Sequence, residues 1–468
     1  MARKTVFAYP LNDITDPLAV FSSLYRFPYT QFLDSLSPAE KAGRYSYIAF
    51  HPVEMIEAWG QKITVTNRDQ QLSLKANITE LLQQRLDVWG HGPVMTDPTL
   101  PPFQGGAIGY FASTIKVPDK EVIEDVPYVA FGIYDQCVAF DYFENQAWYI
   151  AVCENDEIAL QKYRHFRTLT TRQFLPASGA VQPELSWGPV NLPAAVKENV
   201  RRLSDYCAAG SFENAYLGEA FEARIPAGYD SLAHYSVLRS QGRSPLGACL
   251  NLGKINAMIL DCESLLSVNQ RQIEVTHCSH RTKRIWGSLR DEVAAKSLSQ
   301  DKAALSEHQT KAKNFVVTLS GLCKADGILG PSAPKVAATG QEYQIESVTR
   351  GVLAADTTLD DIVRMVSPAT AYNGQPLERA SRMIASMENR SRGPAFAVTA
   401  LIGFNGFISL NQNKSTLVNN GHELRYIVGA PVTAQTNPDS WYSSLRDEAD
   451  HILPTLNNNA ANAFGMTA

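Results

Sequence analysis

Short runs in which apolar and polar residues alternate dominate the first half of the chain, and this two-residue period is typical of half-buried β-strands. Two such runs within residues 32–52, joined over a polar loop at 37–43, predict a pair of strands. Further strands are predicted at 63–65, 129–141 and 148–152, and a helix at 81–88. The last two strands read as a hairpin that turns at Glu144-Asn145, whereas 70–74 is too polar to assign.

Helical and strand patterns share the second half, where hairpins connect most of the strands. Helices are predicted at 194–209, 231–241, 289–313 and 440–453, with two more that start at Thr358 and at Pro376. Strands are predicted at 247–252, 257–260, 265–276, 395–404, 407–410, 415–418 and 423–428. Asn405-Gly406 and Asn420-Gly421 are typical hairpin turns. Because strands outnumber crossover helices, the pattern predicts an α+β fold with large antiparallel sheets.

A segment rich in Pro, Gly, Ser and Ala at 176–192 carries little periodicity and is interpreted as a linker. It divides the chain into an N-terminal α+β subdomain at 1–175 and a second domain at 193–468.

Composition narrows the functional classes. The 468 residues are 45% hydrophobic and 19% charged with a net charge of -5, which allows a large core. The weak, scattered acidity argues against nucleic acid or an anionic membrane as a partner, and no apolar run approaches a membrane span. Seven scattered cysteines without a C-x-x-C pair fit a reducing cytoplasm.

The run PPFQGGAIGYF brings Gly105, Gly106 and Gly109 close together. It lacks the Lys-Ser/Thr of a P-loop, and its spacing differs from that of a dinucleotide fingerprint. The run therefore favours a close backbone contact at a strand over a phosphate site.

The segment IVGAPVTAQTNPDSWYSSL, residues 427–445, has the layout of a turn and helix that together hold an anion and a metal ion. Pro431 has no N–H to offer an anion. On the helix, Trp441 and Ser444 stand where such a site needs carboxylates. The turn and helix of such a site are therefore predicted, but the residues that would bind the anion and the metal ion are replaced.

Taken together, these segments resemble the chorismate-utilising enzymes, nearest to component I of aminodeoxychorismate synthase, with component I of anthranilate synthase close behind. The first half carries FLDS…GRYSYIA, PPFQGGAIGYF and VAFGIYDQCVAFDY, and the second half FEARIPAGYDSLAHY and RGPAFAV…GFNG. The resemblance implies antiparallel sheets packed face to face with helices outside. It also makes a glutamine amidotransferase subunit a candidate partner, since the use of glutamine would need a separate subunit.

The motifs that carry catalysis in this family are altered. His280 stands in CSHRT at the position of the proposed nucleophilic lysine, and Arg281 replaces the glycine after it. Glu346-Ser347 replaces a His-His pair, and Ser415 replaces the arginine that grips the substrate carboxylate. Further substitutions are Ser211, Asn214, Tyr216, Ala220, Ala369, Thr370, Leu377, Leu401, Ala430 and Pro431, whereas Glu263 is kept.

The magnesium ligands implied by the resemblance are replaced as well. Two carboxylates become Trp441 and Ser444, and a third position falls on Ala312 or Lys313, depending on the register. An indole, a hydroxyl or an ammonium does not supply the anionic oxygens that magnesium prefers. We therefore expect no metal and no cofactor.

Two functional hypotheses follow. The first is a family scaffold that has lost chorismate amination, since the nucleophile, the magnesium ligands and the carboxylate clamp are replaced together. The alternative is an active aminodeoxychorismate or anthranilate synthase component I that uses ammonia and magnesium.

Two smaller clusters leave alternatives open. His277, Cys278, His280 and Cys262 match no standard zinc spacing, so placement on the surface or in the core is favoured over a soft-metal site. Glu263 with His280 is a conceivable acid/base pair whose distance the sequence does not fix.

A tryptophan-like ligand pocket is also implied by the resemblance. Its positions are Ser35, Tyr45, Ser46 and Pro245, all of which are intact. The alternative is that these are simply well-packed strand residues.

Overall fold

A computed structural model of the chain describes residues 3–36, 43–60, 62–91, 94, 97–113, 125–171, 184–241, 244–284, 289–339, 342–366, 372–388 and 390–457. The predicted loop at 37–43 and the substituted positions Ala369 and Thr370 fall mainly or entirely outside these ranges.

Across the described ranges, 21 strands form one antiparallel hydrogen-bonded sheet system. The strands are β1 Thr5–Pro10, β2 Gln31–Asp34, β3 Tyr45–Ala49, β4 Glu54–Trp59, β5 Lys62–Asn67, β6 Gln71–Leu74, β7 Gly106–Phe111, β8 Val129–Tyr134, β9 Gln136–Asp141, β10 Gln146–Cys153, β11 Gly188–Pro189, β12 Asn214–Arg224, β13 Gly247–Asn251, β14 Asn256–Asn269, β15 Gln272–Lys283, β16 Lys335–Thr339, β17 Glu342–Val352, β18 Gly374–Gln375, β19 Val398–Gly403, β20 Ile408–Asn419 and β21 Glu423–Val432.

The α-helices of the described ranges are α1 Pro17–Leu24, α2 Ile78–Gly90, α3 Asp156–Thr170, α4 Pro193–Ala208, α5 Ser231–Gln241, α6 Leu289–Gln300, α7 Lys302–Ser320, α8 Leu359–Val366, α9 Leu377–Met387 and α10 Pro438–Ile452. None of them is long and apolar enough to cross a membrane. The predicted α+β class with large antiparallel sheets is confirmed.

Several element boundaries differ from the sequence prediction. The run 129–141 is two strands, because β8 pairs with β4 and β7 whereas β9 pairs with β3 and β10. The predicted strand at 265–276 spans the β14–β15 turn, where Gln270 and Arg271 have φ of 49° and 63°. The segments 407–410 and 415–418 belong to one strand, β20, and the unassigned 70–74 contains β6.

The long helix predicted at 289–313 is wrong, because the chain forms two helices that meet at Asp301. The Asp301 carboxylate accepts a hydrogen bond from the Ala304 N–H at 3.0 Å and so caps α7. The capping box at Thr358 is confirmed: the Thr358 N–H donates to Asp361 at 2.9 Å, and the Asp361 N–H donates back at 3.2 Å.

The glycine run forms the close backbone contact that the sequence predicts. A Cβ on Gly106 would lie 2.1 Å from the Ile402 carbonyl oxygen, and one on Gly109 would lie 1.9 Å from the Ala130 oxygen. Gly106 also has a φ of 139°, which side chains disfavour. Only glycine lets β7 lie this close to its two neighbours.

Strands from the two sides of the predicted linker pair directly with each other. β2 pairs with β13, and β7 pairs with β19. Each of the two hydrophobic clusters of the core contains side chains from both sides, such as Phe32 and Tyr426 in one of them. Because 172–183 is not among the described residues, the division into 1–175 and 193–468 stays a prediction.

Candidate functional site

A set of polar and charged side chains converges where β14, β15, β17 and β20 run side by side. We call this set the polar face, and it consists of Asp261, Glu263, Cys278, Arg281, Glu342, Gln344, Tyr372 and Lys414. The strand ladders β14–β20 and β15–β17 bring these residues together from distant parts of the sequence.

Both cations of the polar face are already paired. The Arg281 guanidinium donates to the Glu263 carboxylate and lies 3.5 Å from the Tyr372 hydroxyl. Burial lowers the pKa of Arg281, but the nearby Glu263 carboxylate outweighs this and holds the pKa above its usual range. Arg281 therefore occupies this part of the polar face, at a position where the resemblance implies a glycine.

Lys414 is the second cation of the polar face. Its Nζ lies 3.2 Å from Asp261 Oδ2 and 3.3 Å from Glu342 Oε2, and 11% of its side chain is exposed. Burial works against the charge, yet these two carboxylates raise the Lys414 pKa above its ordinary value. Lys414 is a charged residue that the sequence analysis missed.

The strand register of β20 explains why the sequence analysis did not place Lys414 at the site. Asp261 pairs with Ser415 and Cys262 with Asn413, so the ladder skips Lys414. Ser415, the predicted position of the lost arginine, instead has its hydroxyl 3.0 Å from the Tyr426 hydroxyl. The lysine directly before Ser415 in the run NQNKS is the sequence feature that could have identified Lys414.

His280 lies away from the polar face, because β15 bulges at this residue. Ser279 pairs with Ile345 and Arg281 with Gln344, so the ladder skips His280, whose φ is 47°. Its Nε2 lies 3.3 Å from Glu307 Oε2 on α7. The conceivable Glu263–His280 pair is therefore wrong for this structure, since Glu263 contacts Arg281 instead.

The His/Cys cluster is spread over separate contacts. His277 Nε2 lies 2.9 Å from the Thr349 hydroxyl, Gln344 Nε2 lies 3.1 Å from Cys278 Sγ, and Cys262 Sγ lies 3.6 Å from Asn413 Oδ1. Among the residues that the structure describes, no three His, Cys, Asp or Glu side chains are grouped so that they could hold a metal ion.

Helix α7 covers the other side of β15 and β17. His308 is buried there, with Nδ1 2.7 Å from the Ser279 hydroxyl and Nε2 2.9 Å from that of Ser347. Burial, and then the proximity of His280 and Lys311, lowers the His308 pKa and favours the neutral ring.

Two other family positions are also placed by these elements. Ala312, one turn after His308, is buried against the sheet, whereas Lys313 is exposed. Glu346 lies 3.5 Å from Lys335 on the neighbouring strand. Ala312 and Lys313 were the two candidate positions for the third magnesium carboxylate. The one that faces inward therefore carries an alanine.

An aromatic cluster packs beside the polar face and contains Tyr216, Tyr372 and Phe396. The Tyr372 and Phe396 rings stack at 4.8 Å, and Tyr216 meets their edges at 5.0 and 5.4 Å. Arg392 lies against this cluster, donating to the Tyr216 carbonyl at 2.8 Å and to that of Tyr372 at 2.6 Å. Tyr216 thus fills this volume with a ring, at a position where the resemblance implies the smaller asparagine.

The β21–α10 segment forms the predicted turn and helix. The Trp441 indole N–H donates to the Pro431 carbonyl at 3.3 Å, and Trp441 is 7% exposed. Pro431 pairs with Tyr216 on β12, whose hydroxyl donates to the Gly429 carbonyl at 2.5 Å. Ser444 is exposed on α10.

These donors do not fit magnesium, because an indole N–H and an exposed serine hydroxyl provide no anionic oxygen. Glu448 lies one turn beyond Ser444 on the same helix, and its charge acts on Tyr216 and Tyr426. Glu448 is an acidic residue of α10, as are Asp439, Asp447 and Asp450, and the sequence analysis did not single it out.

The four residues of the implied effector pocket lie around β2, β3 and the start of β13. The Ser35 N–H donates to the Ser46 hydroxyl at 2.9 Å, and this hydroxyl lies 3.0 Å from that of Tyr142. Tyr45 directly precedes Ser46 as the first residue of β3, and the buried Pro245 precedes the β13 strand that pairs with β2.

This corner also holds a buried charge pair and an unpaired hydroxyl. Asp34 is 1% exposed and pairs with Arg239 at 2.5 Å. Among the described residues, the buried Ser35 Oγ has no hydrogen-bond partner.

Comparisons with known proteins find relatives that match nearly the whole chain. The chain is 22% identical to anthranilate synthase component 1 of Acetivibrio thermocellus over 470 residues, covering 95% of this chain and 93% of the relative. It is 19% identical to aminodeoxychorismate synthase component 1 of Escherichia coli over 444 residues, covering 93% and 95%.

Two solved structures share the fold. Anthranilate synthase component I of Streptococcus pneumoniae superposes with a TM-score of 0.74 at 19% identity, over 87% of this chain and 91% of that one. The menaquinone-specific isochorismate synthase of Escherichia coli gives 0.73 at 12% identity, over 97% and 95%.

The family model described as chorismate binding enzyme matches residues 34–452, which contain the polar face, the aromatic cluster and the β21–α10 segment. This chain therefore belongs to the chorismate-binding enzyme family.

Proposed function

We propose that this chain is a member of the chorismate-binding family that no longer carries out the magnesium-dependent amination of chorismate. The observation that carries the proposal is the internal pairing of the polar face. Arg281 contacts Glu263, and Lys414 lies between Asp261 and Glu342. A substrate anion would have to displace these carboxylates, which are fixed on neighbouring strands and therefore compete at high effective concentration.

The residues at the metal positions support the same proposal. The buried Trp441 uses its only polar atom on the Pro431 carbonyl, and Ala312 has none on its side chain. A divalent ion between α7 and α10 would meet neither charge nor a side-chain oxygen at these two positions. Without such an ion, the developing negative charge of a chorismate ring has no electrostatic partner there.

We also propose that the chain binds a small ligand and a partner subunit. The pocket around Ser35, Tyr45, Ser46 and Pro245 is proposed to take a tryptophan-like ligand, since it combines an unpaired buried hydroxyl with the Asp34–Arg239 pair. A glutamine amidotransferase subunit is a proposed partner, because the curated relatives are called component 1.

One observation favours the alternative, an active aminodeoxychorismate or anthranilate synthase component I. Lys414 keeps a buried cation beside the position of the lost arginine, and such a cation can hold a carboxylate. In this alternative, ammonia and magnesium are the co-substrate and the cofactor.

Titration calorimetry tests the proposal. Magnesium titrated into the native chain with chorismate present should give only heats of dilution, and a saturable isotherm would overturn the proposal. The gain-of-function variant carries Ala312→Glu, Trp441→Glu and Ser444→Glu and should bind the ion. The matched control carries Ala312→Gln, Trp441→Gln and Ser444→Gln, which restores the size of the side chains without their charge.

A further inference from the structure

Side chains along β15 divide between two environments. Cys278 lies on the polar face beside Gln344, and Ser279 lies on the opposite side against His308 of α7. In a regular strand the next residue returns to the first side. His280 would then lie on the polar face and Arg281 against α7.

The bulge reverses this order. Because the ladder skips His280, Arg281 takes the place on the polar face and His280 meets Glu307 on α7. His280 reaches this position with a φ of 47°, a left-handed backbone conformation that residues with a side chain adopt uncommonly. The bulge therefore costs backbone strain, and the contact of Arg281 with Glu263 on the polar face offsets it.

The same four side chains have partners in either arrangement. Glu263 contacts Arg281 on one side of the strand, and Glu307 contacts His280 on the other. If the bulge is removed, His280 would face Glu263 and Arg281 would face Glu307, so the two side chains exchange carboxylates. The exchange leaves neither carboxylate without a partner.

Only a short piece of strand has to re-pair. Arg281, Thr282 and Lys283 are the residues of β15 beyond the bulge, and they pair with Gln344, Tyr343 and Glu342. Removal of the bulge shifts these three residues by one position, while the long ladder from Gln272 to Ser279 keeps its register. A shift by one residue moves each of these side chains to the opposite face of the strand.

We propose that β15 has two registers: a bulged one in which Arg281 blocks the polar face, and a regular one in which His280 replaces Arg281 beside Glu263 and Cys278. In the bulged register, the Arg281 side chain thus occupies the space beside Glu263 and Cys278. The regular register exposes an imidazole and a carboxylate to the same space. This inference goes beyond the proposed function and does not depend on whether chorismate is turned over.

Nuclear magnetic resonance of protein with labelled histidine rings tests the proposal. The His280 signal is assigned by its loss in His280→Gln. In the native chain, Glu307→Gln should move this signal and Glu263→Gln should leave it in place. In the Arg281→Ser background the dependence should reverse, because no cation then holds the bulged register. A His280 signal that still responds only to Glu307→Gln in that background would overturn the proposal.

Matched controls separate the register from general damage. Arg350→Ser removes an arginine that pairs with Glu274 on the same pair of strands, outside the bulge, and should leave the His280 signal unchanged. Deleting His280 removes the extra residue and keeps Arg281 on the polar face. This variant should fold with a melting temperature at or above that of the native chain, and loss of its fold would overturn the bulge itself.

Relaxation dispersion supplies a test in the unmodified protein. His280 should show exchange on the microsecond to millisecond scale, while the ring of His234, held at 2.8 Å by Tyr229 and at 2.7 Å by the Leu456 carbonyl, should show none. Flat profiles at both histidines, together with an unshifted His280 signal in Arg281→Ser, would refute the two registers.

Discussion

Truncating Tyr216 to alanine tests whether the aromatic cluster is a tightly packed part of the fold. The ring contacts Tyr372 and Phe396, with centroids 5.0 and 5.4 Å away, and the hydroxyl donates to the Gly429 carbonyl at 2.5 Å. Each ring contact adds roughly 0.5–1.5 kcal/mol, and the hydrogen bond adds about 0.5–1.5 kcal/mol.

Truncation of a large aromatic core side chain costs about 3–5 kcal/mol in total, a figure that already contains these contacts. Because Tyr216 is only half-buried as a residue, we expect the lower end, about 3 kcal/mol. Tyr206→Ala is the matched control, since this ring is 38% exposed and meets one partner, Phe212, at 6.0 Å. Urea unfolding measures both free energies. A loss below about 1 kcal/mol for Tyr216→Ala, or one equal to that of the control, would refute the packing argument.

Three further predictions follow from other contacts. Arg392→Met removes a guanidinium that is 1% exposed on its side chain and leaves the Glu388 carboxylate, at the C-cap of α9, without its cationic partner, so unfolding should become easier by about 3–5 kcal/mol in urea. Gly106→Ala should lower the melting temperature strongly or prevent folding, whereas Gly188→Ala, where an added Cβ meets nothing within 4 Å, should have little effect on a thermal melt. Burial lowers the pKa of His277 to about 4, so the folded chain keeps this ring neutral while the unfolded chain protonates it near pH 6.5. The free energy of unfolding should therefore fall as the pH drops from about 6.5 towards 4. Urea titrations should show that His277→Gln flattens this pH dependence.

The sequence predicted what depends on local patterns. The hairpin at Glu144-Asn145, the capping box at Thr358 and the close approach at Gly106 each follow from a few neighbouring residues, and each is present in the structure. The break at Asp301 was missed, because a single capping residue inside a polar helical stretch changes the periodicity very little.

The candidate site was predicted less completely, because its geometry depends on strand register. One extra residue in β15 turns His280 away from Glu263, and one in β20 leaves Lys414 outside the ladder, where its ammonium reaches Asp261. A bulge has no composition signal of its own, yet it reverses which side chain lies on a given face. The Glu263 partner of Arg281 likewise lies on a different strand, so no local pattern could identify it.

Chorismate consumption is the measurement that tests the central claim most directly. The native chain is incubated with chorismate, excess ammonium and magnesium at mildly alkaline pH, beside an anthranilate synthase component I as the active reference. We predict that chorismate disappears no faster than in the absence of protein. Turnover at a rate comparable to that of the reference enzyme would contradict the proposal that the internally paired polar face has lost the family's amination.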